Sequence, residues 1–321
     1  MFGTYRFILA AIVALSHFGL IFNGFNPGQW AVLSFYVISG FLMERLHEKI
    51  QKFTDKASSS AFYSDRFLRI LPLYLVVLGL SLWTNWQEFQ PWIVSNIALI
   101  PLNYGAFTGS KAAIGPAWSL ACEFQFYMLI PLLCRMSNSV LKYTLMGSVF
   151  VFCISPFTHH SAFWGYMGLP GILFAFLSGM LLSRGEVVFL KIIWMLFVVL
   201  LVVFASTKFI SAGLPTGINI NVCIGYLLAI PSTWFLSRIS PTVSWDKRMG
   251  LISYPLFLVH ELVQRWMSVF LGYCPIFMIL IASAVVAVFL VLVVESPFDL
   301  IRYRVRTFFA KKDYPIHVGI R

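Results

Sequence analysis

Long apolar runs alternate with short polar or basic segments from one end of this 321-residue chain to the other. A run of about 20 apolar residues is long enough to cross hydrocarbon as an α-helix. No polar linker divides the runs, so we predict an all-α, polytopic transmembrane helical bundle over 1–301 and a basic cytoplasmic tail over 302–321. The ten predicted spans are 7–25, 30–46, 68–86, 117–136, 139–157, 163–183, 188–207, 217–237, 250–270 and 275–298.

The segment 87–116 interrupts this pattern because it is less apolar and carries several helix-breaking residues. These are Pro91, Pro101, Gly105, Gly109, Gly115 and Pro116. We expect the segment to fold back on one side of the bundle as a lid or re-entrant segment, with a short helix at 91–100.

Composition and charge agree with a membrane protein. Hydrophobic residues make up 60% of the chain and charged residues 11%, whereas a soluble domain has about 25% charged residues. With the amino terminus inside, 20 Lys and Arg side chains fall on the cytoplasmic side and three, Lys111, Lys208 and Arg265, fall outside. This bias predicts that both termini are cytoplasmic. It also explains the net charge of +11 without a nucleic-acid partner, for which we find no reader motif.

The cysteines and the amino-terminal run show no sign of processing or metal binding. The five cysteines form no CxxC pair, so we expect small core residues, no metal and no disulfide framework. The first apolar run is followed by a turn at 22–27 rather than by a small-residue cleavage site, so we predict a retained first span.

Arg6 and His17 form the first candidate site. Eleven helical steps of about 100° bring both side chains to one side of a helix, about 16 Å apart along its axis. Because a histidine in hydrocarbon is costly, His17 should face a polar interior. A neutral imidazole there can accept a proton from an attacking hydroxyl. The alternative is a snorkelling arginine and a histidine that only packs.

Arg66 and Arg69 form the second candidate site. They are three residues apart, so they share one helix face at the predicted inner end of the third span. Two guanidinium groups there suit a polyphosphate ligand. Each could instead be a charge that only sets the topology.

The third candidate is a stripe of polar residues just after Trp118. Ser119, Glu123 and Tyr127 recur every four residues, so they line one helix face. A carboxylate facing lipid is costly, so we expect Glu123 to face the same interior as His17. There it could orient the imidazole, relay its proton or hold a substrate hydroxyl. The alternative is a structural glutamate paired with an arginine or a tyrosine.

The ninth predicted span and two short motifs hold the remaining polar residues. Pro255 should kink or locally open this helix. His260 and Glu261 then form either a polar site on the substrate side or structural polar packing. The Ser39-Gly40 pair indicates close helix packing, and Glu295-Ser296-Pro297 should end the last span.

Together these segments resemble the acyltransferase type 3 family, whose members modify bacterial surface glycans. The resemblance rests on the order in which five motifs follow one another along nearly the whole chain. They are Arg6-x10-His17, Phe35-Tyr36-Val37-Ile38-Ser39-Gly40-Phe41, Arg66-x-x-Arg69 before Pro72-Leu73-Tyr74, Trp118-Ser119-Leu120-x-x-Glu123-x-Gln125-Phe126-Tyr127 and Ile252-Ser253-Tyr254-Pro255-Leu256-Phe257-Leu258-Val259-His260.

The resemblance implies about ten helices in the bacterial cytoplasmic (inner) membrane. It implies transfer of a short acyl group, often acetyl, from cytoplasmic acyl-CoA to a sugar hydroxyl of a lipid-linked or exported glycan. By resemblance, Arg6 and His17 match the family's essential pair. Arg66 and Arg69 match its arginine pair for acyl-CoA, and Glu123 matches the acid of its Trp-Ser-Leu motif. We expect Trp118, Ser119, Tyr127, Tyr254 and His260 to line the substrate side.

Two departures from the family pattern stand out. Position 122 is a cysteine where a small or aliphatic residue is expected, and no soluble hydrolase-like domain follows the last span. Neither disturbs the motifs. We expect the basic tail to rest on anionic lipid headgroups, and nothing in the sequence requires an oligomer.

A secondary transporter is the main alternative, since it would also place charges at mid-membrane. It should then show inverted repeats or paired broken helices, and the sequence shows neither. A membrane scaffold without activity would leave His17 and Glu123 unexplained.

Overall fold

A computed structural model describes residues 1–49, 56–210, 215–239 and 243–313. Within these ranges the protein is all-helical, and its one β-type contact is an isolated bridge between Phe22 and Phe25. The helices are α1 (Phe2–His17), α2 (Pro27–Lys49), α3 (Lys56–Thr84), α4 (Trp86–Phe89), α5 (Ile93–Ala98), α6 (Gly105–Thr108), α7 (Ala117–Leu133), α8 (Asn138–Ile154), α9 (Leu169–Ser183), α10 (Val187–Ile210), α11 (Gly217–Arg238), α12 (Ser244–Leu271), α13 (Ile276–Leu290) and α14 (Ser296–Asp313).

Several of these helices have the length and composition of membrane spans. Six helical stretches among the described residues are long and apolar enough to cross a bilayer. They are 59–84, 138–157, 163–183, 187–208, 217–238 and 276–305. The helices α1 and α7 are apolar but shorter. A helix lies on each of the ten predicted segments, while the count of ten spans and the cytoplasmic termini stay predictions.

The first helix is shorter than the predicted span 7–25, because α1 ends at His17. Gly19 follows with a φ of 103°, a left-handed conformation that glycine adopts readily, and a turn leads into α2. Hydropathy missed this end because the turn residues are themselves largely apolar. His17 therefore stands at a helix end rather than deep inside an apolar helix, and its side chain is 32% exposed.

The interior of the bundle forms around α2, which packs against α1, α9 and α11. A side chain at Gly40 would place its Cβ 1.9 Å from the carbonyl oxygen of Phe176, and one at Gly179 would come within 2.0 Å of the carbonyl oxygen of Val37. The backbones of α2 and α9 are therefore in direct contact, which confirms the close packing predicted at Ser39-Gly40.

One arginine ties the ends of four helices together. Arg184, just after α9, makes two bonds with the carboxylate of Glu44 on α2, at 2.9 and 3.2 Å. It also donates to the carbonyl oxygens of Cys134 and Met136 and to the side chain of Asn138. The sequence had indicated only a topogenic charge at this position.

The segment between α3 and α7 is a series of short helical turns, and the short helix predicted at 91–100 is confirmed as α5 (Ile93–Ala98). This helix ends before Leu99, whose φ is 61°. The buried side chain of Asn96 fixes the segment, because its amide donates to the carbonyl oxygens of Trp92 and Lys111 and its oxygen accepts the amide of Ala113. This anchoring sets where α7 begins.

The carboxyl-terminal helices are more continuous than predicted. A π-helical turn at Val291–Glu295 joins α13 to α14, so the helix continues past Glu295-Ser296-Pro297, where we expected it to end. It also runs through the boundary placed at 301. Arg302 is buried and pairs with Asp65 on α3 at 3.1 Å. Residues 314–321 of the predicted lipid-contacting tail lie outside the described residues.

The helix α12 is also continuous. It is α-helical through Pro255, without the local opening that we predicted there. The five cysteines are free thiols, and three of them are buried.

Candidate active site

A cavity of about 230 Å³ lies among α1, α2, α3, α7 and α12. It brings together most of the polar residues that the sequence analysis singled out. Its polar lining consists of Arg6, Tyr36, Ser39, Arg66, Arg69, Ser119, Glu123, Tyr127, Ser253 and Tyr254. We call it the arginine cavity.

Three guanidinium groups face the arginine cavity. Arg66 donates to Asp65 at 2.5 Å, and Asp65 also accepts from Arg302. Arg6 and Arg69 make no hydrogen bond or ion pair with any residue in the described ranges. Three guanidinium groups around one cavity, with Glu123 as the carboxylate in its lining, favour an anionic ligand. The predicted proximity of Arg66 and Arg69 is confirmed, and Arg6 joins them.

Glu123 lies in the same cavity and is held by two hydroxyl groups. Its carboxylate accepts hydrogen bonds from Ser39 and, at 2.6 Å, from Tyr127. The predicted stripe of Ser119, Glu123 and Tyr127 therefore does face one interior. The hydrogen bonds of Glu123 do not include His17, so of the three roles left open for Glu123 a direct orienting contact with the imidazole is not formed. Ser39, predicted only to aid helix packing, is a partner of this carboxylate.

The hydroxyl of Tyr254 donates to the carbonyl oxygen of Ile70 on α3 at 2.8 Å. Tyr254 thus lines the arginine cavity with its ring, while its hydroxyl connects α12 to α3.

A second cavity of about 270 Å³ contains His17. Its lining also includes the amides of Asn26 and Gln29 and the ring of Trp118. That ring meets Tyr166 edge to face, with centroids 4.9 Å apart. We call this second cavity the histidine cavity. Trp118 lines this cavity and not the arginine cavity, and its substrate-side role stays a prediction.

The imidazole of His17 is held by a carboxylate that the sequence analysis did not assign to it. Its Nδ1 lies 2.5 Å from Oε1 of Glu261 and 3.2 Å from Nε2 of His260. The other oxygen of Glu261 accepts the backbone N–H of Gly115 at 2.9 Å. His260 therefore contacts His17 directly. The adjacent His260-Glu261 pair in an apolar run was the sequence signal for this partner.

This geometry decides which nitrogen of His17 can act as a base. With Nδ1–H donating to Glu261, the neutral ring carries its lone pair on Nε2. A carboxylate on the far nitrogen fixes both the tautomer and the orientation of the ring, as in other histidine–carboxylate pairs. The arrangement can therefore remove a proton from a hydroxyl group.

The side chains of His17, His260 and Glu261 could also hold a metal ion, since their ligand atoms lie within 4.8 Å of one another. Two ligands of a tetrahedral zinc ion would be about 3.3 Å apart, whereas Nδ1 of His17 and Oε1 of Glu261 are 2.5 Å apart. As placed, the two groups form a hydrogen-bonded pair. The absence of a metal stays a prediction.

The two cavities adjoin each other. Val32 on α2 and Ser119 on α7 line both of them. Arg6 lines the arginine cavity and His17 lines the histidine cavity, so the two ends of the Arg6-x10-His17 motif on α1 lie in adjoining cavities.

Residues 4–295 match the family profile described as "Acyltransferase domain". The chain belongs to the acyltransferase type 3 family. An "Uncharacterized protein" of Aquifex aeolicus (strain VF5) is 32% identical over 212 residues, which cover 60% of this chain and 90% of that protein. The "Acyltransferase MdmB" of Streptomyces mycarofaciens is 30% identical over 122 residues, which cover 35% of this chain and 30% of that protein. No solved structure matches the chain.

Family membership and the long apolar helices together identify a multi-pass membrane acyltransferase. The two adjoining cavities are therefore the candidate active site of this acyltransferase type 3 protein.

Proposed function

We propose that this protein transfers a short acyl group, most simply acetyl, from cytoplasmic acyl-CoA to a sugar hydroxyl of a lipid-linked or exported surface glycan. It would do so in the bacterial cytoplasmic membrane. The observation that supports this best is the pair of adjoining cavities, one lined by arginines and the other containing a histidine–carboxylate pair.

The arginine cavity suits the donor. The phosphate groups of acyl-CoA would bind the guanidinium groups of Arg66 and Arg69, with Arg6 as a third cation. Arg6 and Arg69 make no hydrogen bond or ion pair within the described ranges, which supports this role because their N–H groups remain available to a phosphate. The predicted topology opens this side towards the cytoplasm, where acyl-CoA is made.

Glu123 is placed to bind the donor rather than to orient the imidazole of His17. Held by Ser39 and Tyr127 beside the arginines, it would bind a polar group of the pantetheine arm through the same hydroxyl network. It would also keep the cavity from becoming so positive that it retains the product CoA.

The histidine cavity suits the acceptor. Amide side chains and a pair of aromatic rings are the groups that proteins use to orient a ring bearing hydroxyls. The side-chain oxygen of Gln29 is buried and has no hydrogen-bond partner among the described residues, so it can accept a hydrogen bond from a sugar hydroxyl. Trp118 offers an apolar face for the ring.

In the reaction, Nε2 of His17 removes the proton of the acceptor hydroxyl as its oxygen attacks the thioester carbonyl carbon. The carbon–sulfur bond breaks, an ester forms, and the CoA thiolate leaves and takes up the proton from His17. Glu261 stabilises the imidazolium that exists between these two proton transfers. General-base catalysis of this kind is typically worth about 10²–10⁴-fold in rate.

The test is a transfer assay in native membranes supplied with labelled acetyl-CoA. We expect label in the glycan or lipid-linked sugar fraction and a matching release of CoA. His17→Ala should lower the rate by about 10²-fold or more. The control is His159→Ala, since His159 is exposed and lines neither cavity. A transporter would release no CoA, and transfer at the wild-type rate in His17→Ala would refute the proposed base.

A further inference from the structure

The boundary between the two cavities is built from two residues. Among the residues that line the cavities, Val32 and Ser119 are the ones common to both. Val32 is 6% exposed and Ser119 is 4% exposed, so the surface that each shows is the surface facing these cavities. The rest of the two linings is distinct, so the two cavities meet at Val32 and Ser119.

Both residues are held in fixed positions. The hydroxyl of Ser119 donates to the carbonyl oxygen of Pro116 at 2.8 Å, and its own carbonyl oxygen accepts the hydroxyl of Tyr36 at 3.4 Å. Val32 is branched at Cβ and lies inside α2, where such side chains keep one χ1 rotamer. The boundary between the two cavities is therefore made of two side chains with fixed positions.

The thioester of an acyl-CoA whose phosphate groups bind in the arginine cavity must cross this boundary to reach His17. The pantetheine arm is an unbranched chain, and a straight acyl group has the same cross-section. An acyl group with a branch next to the carbonyl is wider by one methyl group. A boundary made of two fixed side chains is therefore expected to discriminate between acyl groups by branching.

We propose that Val32 and Ser119 form the acyl passage of this enzyme, which admits unbranched acyl groups and rejects branched ones. The inference rests on the proposed function, because it needs a CoA thioester in the arginine cavity. It adds two specificity-determining residues and narrows the donor to straight-chain acyl-CoA.

The experiment compares labelled acetyl-CoA with labelled isobutyryl-CoA in membranes of the native host that carry each variant. Val32→Ala removes two methyl groups from the passage and should raise the ratio of isobutyryl to acetyl transfer at least about tenfold, which is the range that one methyl group commands in a fitted pocket. Val32→Phe should fill the passage and lower acetyl transfer, while CoA still stabilises the protein against heat.

Two controls separate width from general damage. Val222→Ala makes the same change at a buried valine that lines neither cavity, so its ratio should equal that of the wild type. Val32→Thr keeps the shape of valine and should also keep the wild-type ratio. A ratio within twofold of the wild type in Val32→Ala overturns the inference, and so does an equal rise in Val32→Thr.

The outcome also distinguishes this inference from the proposed function. If the wild type transfers acetyl and only the selectivity prediction fails, the acyl passage is wrong and the transferase stands. If the wild type releases no CoA from either donor, the proposed function fails and the acyl passage fails with it.

Discussion

The replacement Glu261→Gln tests the role of the carboxylate that holds His17. Gln has nearly the same shape and can still form one hydrogen bond to Nδ1, but it carries no charge. It can also donate its amide hydrogens to Nδ1, which would favour the tautomer with a proton on Nε2 and remove the base. We expect the rate of acyl transfer to fall while acyl-CoA binding is retained.

The structure sets the size of this effect. The imidazolium charge is spread over its ring, about 4 Å from the carboxylate charge, and at an effective dielectric constant of about 20 their attraction is about 4 kcal/mol. His17 is 32% exposed and Glu261 19% exposed, so solvent screens part of it. A remaining stabilisation of about 2–3 kcal/mol corresponds to about a 30- to 160-fold loss of rate.

The assay measures labelled acetyl transfer in membranes at saturating acetyl-CoA, together with thermal stabilisation by CoA. Glu88→Gln is the matched control, because Glu88 is exposed and lines neither cavity. A rate for Glu261→Gln within threefold of the wild type would refute the catalytic role of this carboxylate. A loss of CoA stabilisation would show instead that the substitution disturbs the donor site.

Three further predictions concern the surroundings of the site. Gly115→Ala should also slow transfer, because its Cβ would lie 2.1 Å from Oε2 of Glu261, whereas Gly147→Ala meets no atom within 4 Å and should leave the rate unchanged. Arg184→Ala leaves the 2%-exposed Glu44 without its partner, so it should destabilise the protein by about 3–5 kcal/mol in thermal unfolding, and adding Glu44→Gln should recover part of this. Partial burial would raise the pKa of Asp246, but hydrogen bonds from the amide and hydroxyl of Thr4 and the amide of Gly3 lower it overall. A carboxylate with a lowered folded-state pKa contributes stability above the unfolded value of about 4, and this stability is lost as the pH falls through the folded-state pKa. Asp246→Asn should therefore lower the unfolding temperature at pH 7, and the difference from the wild type should shrink as the pH falls below about 4.

Much of the fold and of the arginine cavity could be predicted from helical spacing. The interval between Arg66 and Arg69, and the four-residue steps from Ser119 to Tyr127, place side chains on one face of a helix. Such spacing predicts which residues share a face, and the structure confirms both groups in one cavity.

The contacts of His17 could not be predicted in the same way. They join the end of α1 to α12, two helices separated by more than 200 residues, and helical periodicity carries no information about which helices meet. Hydropathy also placed the end of the first helix too late, because Gly19 turns the chain inside an apolar run. The sequence therefore left open whether Glu123 orients the imidazole, and the structure places Glu261 there instead.

The charges at helix ends show a related limit. Arg184 and Arg302 counted only as cytoplasmic charges in the topology, yet both are engaged in ion pairs with buried acids. Charge counting reports on insertion, whereas pairing depends on the packing of helices that are distant in sequence.

The most direct test of the account is an experimental structure of the His17→Ala variant with bound acetyl-CoA. We predict the phosphate groups on Arg66 and Arg69, the pantetheine arm between Val32 and Ser119, and the acetyl carbonyl carbon in the histidine cavity. Acetyl-CoA bound with its phosphates away from both arginines, or with its thioester on the far side of Val32 from the histidine cavity, would contradict the account.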